Sequence, residues 1–136
     1  MKKLTLLLLS VLVYSANLSA QSTSDDPVGR VFFAPELVMQ NQQAINLTEA
    51  QRNNLTKELQ NAQSEFTTLQ WDLEKEMEKF KSLIEKENVK EEEVVGQLER
   101  LLSIENKIKK RQITLLIKIK NLLSREQQEK LQKLKK

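Results

Sequence analysis

The 136-residue sequence contains no cysteine and no histidine. Without cysteine there is no disulfide, no acylation site of the lipoprotein kind and no thiolate nucleophile. Without histidine the usual general base is missing, and so is the commonest ligand for borderline metals. Glycine and proline occur twice each, and no glycine-rich phosphate loop is present. The six aromatic residues are not interleaved with the basic run "KIKKRQ" (Lys107 to Gln112), so the stacking platform of a single-strand binder is absent. These gaps point away from an enzyme, from a bound cofactor and from a nucleic-acid partner.

What is present begins with "MKKLTLLLLSVLVYSANLSA". Two lysines, an apolar run from Leu4 to about Tyr14 and small residues ending at Ala20 form the three-part layout of a secretory signal peptide. The apolar run falls short of the roughly 20 residues that a membrane span needs. An uncleaved anchor is the rival reading. Residues 1–20 are therefore assigned to the leader. The periplasm is the expected compartment, with no stable membrane insertion after cleavage.

The remaining 116 residues suit one domain. Their charge is unevenly spread. Residues 21–106 hold 9 basic and 17 acidic side chains, whereas residues 107–136 hold 11 and 2. Such asymmetry fits interaction surfaces, or antiparallel helices that set the basic end beside the acidic middle.

Residues 21–34, "QSTSDDPVGRVFFA", read as a flexible lead-in. From Glu36 onward there is no proline and one glycine, Gly96, while Glu, Lys, Leu and Gln dominate. All four favour helices, so the fold class is all-α. A first helix is predicted from Pro35 to about Ile45. A second follows Thr48, with apolar residues at Leu55, Leu59, Ala62, Phe66, Leu69, Leu73, Met77, Phe80 and Ile84. Their spacing is a heptad seam with one stutter at Leu73–Met77, predicted to run to about Glu87. Asn88 with Glu91 is the expected cap of a third helix, whose seam is Val94, Leu98, Leu101, Ile108, Leu115, Ile119 and Leu122. Glu105 and Gln112 interrupt that seam. Ser124 starts a last helix with Leu131 and Leu134.

One five-residue pattern occurs twice, as "LTEAQ" (Leu47 to Gln51) and "LSREQ" (Leu123 to Gln127). Thr48 with Gln51, and Ser124 with Gln127, have the spacing of reciprocal capping boxes. In an antiparallel hairpin both copies lie at one end, where Leu47 and Leu123 are expected to pack together.

With the leader, the helical content and the length, these two L-[TS]-x-x-Q motifs make residues 34–136 resemble the Spy/CpxP family. The wider superfamily includes periplasmic heavy-metal sensors and zinc-resistance-associated proteins. The resemblance implies a homodimer of four-helix subunits forming a shallow cradle, with antiparallel contact between long helices. It implies one of three roles: holding unfolded proteins without ATP, restraining a membrane sensor kinase, or coordinating transition metals. Only Leu47, Thr48, Gln51, Leu123, Ser124 and Gln127 match the family motif, as determinants of the fold.

The metal role fits the residues poorly. Met39 and Met77 are isolated, and Glu91–Glu93 suit a solvated first turn that favours the helix dipole. The leading expectation is a periplasmic, ATP-independent holder of unfolded or misfolded proteins. The alternative is a metal-responsive sensor or regulatory subunit acting on a membrane partner. A trimeric coiled-coil chaperone of the Skp type lacks its strand segments here. Val95, Leu102, Ile113, Leu116 and Ile117 widen the apolar surface of the third helix and are the candidate dimer stripe. Candidate client contacts are Phe32, Phe33, Trp71, Lys107, Lys109, Lys110 and Arg111. For the phenylalanines a lid on the core is the first reading and an apolar lip for clients the second; for Trp71 packing on a second face comes first and an exposed binding patch second.

Overall fold

The computed structural model describes residues 26–135. Among them are five helices: α1 (Pro27–Val31), α2 (Pro35–Gln40), α3 (Glu49–Ile84), α4 (Glu91–Leu122) and α5 (Arg125–Leu134). The fold is all-helical, and α3 and α4 pack against each other as a long hairpin.

Residues 26–34 of the segment read as a flexible lead-in are ordered; residues 21–25 of it, and the leader assigned to residues 1–20, lie outside the described residues. Asp26 caps α1 by accepting from the amides of Val28 and Gly29, both at 3.0 Å. Proline at the first helical position adds a pre-set φ and loses no hydrogen bond.

The first predicted helix is shorter than its sequence suggests. Regular α structure stops at Gln40, and residues 41–46 continue as turns. They close in a Schellman arrangement: the Leu47 amide reaches the Gln42 carbonyl at 2.8 Å and the Asn46 amide reaches Gln43 at 3.1 Å. Asn46 sits at φ 52°, the left-handed position this motif requires and one that asparagine tolerates.

Both capping boxes form. Thr48 Oγ1 accepts from the Gln51 amide at 3.1 Å, and the Thr48 amide donates to Gln51 Oε1 at 3.0 Å. The Ser124 and Gln127 distances are 3.2 and 2.9 Å. At the hairpin turn the expected cap is displaced. α3 ends at Ile84, three residues short of Glu87. α4 opens after Lys90, which makes no side-chain cap bond. Asn88 is separated from the helix by Val89 and Lys90, the latter extended. Glu91, Glu92 and Glu93 supply negative charge to the first turn instead. Glu93 also reaches Lys90 at 3.3 Å and Lys86 at 3.6 Å.

Every residue of the predicted α3 seam is buried or half-buried. On α4, Leu98 leaves the seam, 41% exposed, and Gln97 takes the inward position. The reason is polar: Gln97 Nε2 donates to the Glu76 carbonyl and to Glu76 Oε2, each at 2.7 Å. Glu76 is held below the usual carboxylate range by Lys79 first, and then by Gln97.

Apolar burial is concentrated in one half of the hairpin. Phe33, Val38, Ile45, Leu47, Leu55, Ala62, Leu115, Ile119, Leu123 and Leu131 form one continuous cluster where α2 and α5 fold back. Toward the turn, the buried side chains are Leu73, Gln97 and Leu101. The molecule thus has a packed end and a thin two-helix arm.

Candidate functional site

The packed end is fastened by the repeated motif. Gln51 Nε2 donates to Gln127 Oε1 at 2.8 Å, and Gln127 Nε2 donates to Gln51 Oε1 at 2.9 Å. The second proton of Gln51 goes to the Leu122 carbonyl at 2.8 Å. Gln127 Nε2 also reaches the carbonyls of Ile45, at 3.2 Å, and Asn46, at 3.4 Å. Each amide oxygen thereby accepts twice, from its own cap amide and from the other glutamine. Both side chains are saturated, as burial demands. Leu47, Leu55, Leu123 and Leu131 lie in the cluster beneath this pair. The motif residues are therefore a fastening rather than a surface site. Two five-letter patterns predict the caps; the contact between their glutamines appears only when the chain folds back.

The candidate client contacts separate into different environments. Phe33 is 2% exposed and belongs to the core, in keeping with its reading as a lid on the core and against its reading as an apolar lip. Phe32 is half-buried, with the Lys120 ammonium 5.7 Å from its ring centroid. Arg111 is also inward. Its Nε donates to Glu65 Oε2 at 2.6 Å across the hairpin, and its Nη1 is buried without a partner, so it leaves the exposed basic group. Lys118 makes a similar bridge to Glu58 at 2.8 Å. These two pairs place the basic end beside acidic positions of α3. Trp71 stands 69% exposed on α3, on the face away from the seam.

The stripe proposed for association lies mostly outward on α4. Val95, Leu102, Ile113 and Ile117 are between 37 and 47% exposed, joined by Leu98 from the seam at 41%, whereas Leu116 is half-buried. Leu102, Lys107 and Lys110 line one open groove with Glu99, Ser103 and Asn106. Lysine and exposed apolar side chain thus share a face, with Lys109 one turn from Ile113.

At the other end of the chain, Lys135 Nζ donates to the carbonyls of Gly29 (2.8 Å), Arg30 (3.2 Å) and Phe32 (2.6 Å). It lies 4.5 Å from the Phe33 ring centroid. Burial, and then the charge of Lys120, pull this ammonium below the usual lysine value. This clasp was not visible in the sequence, where Lys135 is one of several terminal lysines.

The model of one protein family, described as heavy-metal resistance, matches residues 4–130. The chain belongs to the heavy-metal resistance family. That family lies within the Spy/CpxP-like periplasmic superfamily, in agreement with the paired motifs. No curated protein and no solved structure matches the chain.

Membership of the heavy-metal resistance family raises the question of a metal centre. Among the described residues no three His, Cys, Asp or Glu side chains come together in a way that could hold an ion. Met39 lies on α2 and Met77 on α3, so no thioether pair forms along one element. The donor set does not fit a transition-metal site within one chain, since the thiolate and imidazole ligands that select such ions are missing. No helix among the described residues is long and apolar enough to cross a membrane.

Proposed function

We propose that this member of the heavy-metal resistance family works in the periplasm by holding unfolded proteins rather than by coordinating the metal. The observation that carries this reading is the outward face of α4. Five large apolar side chains, 37–47% exposed, run along it beside Lys107, Lys109 and Lys110. Exposed apolar rows of this kind mark interaction surfaces. Adjacent positive charge speeds encounter with acidic or unfolded chains. No nucleotide is required, because binding needs only apolar burial and attraction.

The same face supports self-association. Two copies of α4 crossed antiparallel about Asn106 set Val95 beside the partner's Ile117 and Leu98 beside the partner's Ile113. A closed two-fold dimer would bury the outer parts of the stripe and give the thin arm a second layer.

The test is suppression of aggregation of an unrelated unfolded protein by the purified chain, without nucleotide. Near-stoichiometric suppression is expected. It should weaken toward 1 M salt, where the Debye length falls to about 3 Å. Replacing Lys107, Lys109 and Lys110 with glutamine should slow capture and leave the melting midpoint unchanged. Absence of suppression, together with a midpoint shift of several degrees in micromolar zinc, nickel, cobalt or copper, would reject this reading in favour of a metal-responsive sensor.

A further inference from the structure

The segment from Asp26 to Ala34 lies on the packed end as a strap. Its helix α1 contributes no buried residue. Beyond α1 the backbone is extended at Phe32 (φ −100°, ψ 164°) and again at Ala34 (φ −62°, ψ 143°). Between them Phe33 enters the cluster that contains Val38, Ile119 and Leu131. The Lys135 ammonium holds the Phe32 carbonyl of this run together with the Gly29 and Arg30 carbonyls of α1, and its position over the Phe33 ring adds a cation–π contact. An extended run with one buried aromatic side chain and a gripped carbonyl has the form of a bound peptide.

We infer that residues 32–34 are the built-in occupant of a peptide-binding slot, and that an extended, aromatic-bearing segment of an unfolded protein competes with them for it. This rests on the holding function proposed above and adds a second binding place, away from α4. Every peptide has carbonyls for Lys135 to hold, so recognition there is tolerant of sequence. The slot itself selects the aromatic ring. The strap is suited to displacement. A five-residue helix is unstable by itself, and terminal segments that bury few side chains open most readily. The tethered strap is present at high local concentration, so it lowers the apparent affinity for any competitor by the fraction of time it occupies the slot. In the sequence the two phenylalanines read as a lid on the core or as a lip for clients; in the fold Phe33 fills the place a client residue would take.

The experiment uses a fluorescent peptide copying residues 26–35, titrated by anisotropy against the purified whole chain and two variants. Phe33→Ala vacates the slot and leaves Lys135 in place. Peptide affinity should rise at least tenfold over the unsubstituted chain, and Lys135→Ala added to that variant should lower it again. Asp26→Ala removes the α1 cap and leaves the slot intact, so it serves if Phe33→Ala fails to fold. A gain of about fivefold is expected from a cap of ordinary strength. Equal affinity for all forms, no binding at millimolar concentration, or equal binding of a peptide carrying alanine at the Phe33 position would each overturn the inference. The α4 lysine variants read the holding function separately. Loss of aggregation suppression with peptide competition preserved would reject that function and leave the slot standing.

Discussion

Gln51 and Gln127 each serve two purposes with one side chain. The oxygen closes a helix cap, and the nitrogen ties the start of α3 to the end of α4 and the start of α5. Removing Gln127 takes one of two partners from the Gln51 oxygen and nitrogen and strips the Ser124 amide and the buried Ile45 carbonyl of their side-chain partner. Gln127→Ala is expected to cost about 1–3 kcal/mol, the usual range for an orphaned buried polar group. A denaturant double-mutant cycle with Gln51→Ala should show coupling above about 0.5 kcal/mol. Strict additivity would mean that the two boxes are independent helix starts. Thr48→Ala and Ser124→Ala remove a single cap acceptor and should cost about 0.5–2 kcal/mol each. Leu47→Ala and Leu123→Ala remove buried volume as well and should cost roughly 2–5 kcal/mol.

Along α3 and α4 stability should be graded. Near the packed end, Leu55, Ala62, Leu115 and Ile119 are buried under α2 and α5. Toward the turn, Leu73, Leu101 and the Gln97 bridge to Glu76 carry the contact. Helices gain most of their stability from packing of the apolar face, so the arm is expected to open locally before the packed end. Hydrogen exchange should show faster amide exchange for residues 75–100 than for residues 115–122. Uniform protection would place a second layer over the arm and support association through it.

For the whole molecule, the outward row on α4 sets the expected assembly. Ultracentrifugation at micromolar concentration should give a dimer. Ile113→Glu should shift it toward monomer, since the variant places charge in the proposed contact. Ile113 is exposed in the single chain, so helicity should be preserved. A monomer for the unsubstituted chain, or a dimer indifferent to Ile113→Glu, would assign the row to client contact alone.

The sequence determined the elements where local chemistry suffices. Sparse glycine and proline, heptad spacing and two S/T-x-x-Q patterns specify long helices and their starts, because caps and amphipathic faces act within a few residues. It also bounded the chemistry, since side chains that are absent cannot ligate or react. Tertiary structure decided whatever depends on distant partners. Gln97 replaced Leu98 at the inner face because Glu76 stands across the hairpin. Arg111 turned inward toward Glu65 rather than joining the lysines around it. Phe33 entered the core, and Lys135 closed over the strap, through contacts spanning about a hundred residues. No periodicity encodes such pairs, because each is set by the juxtaposition that folding creates.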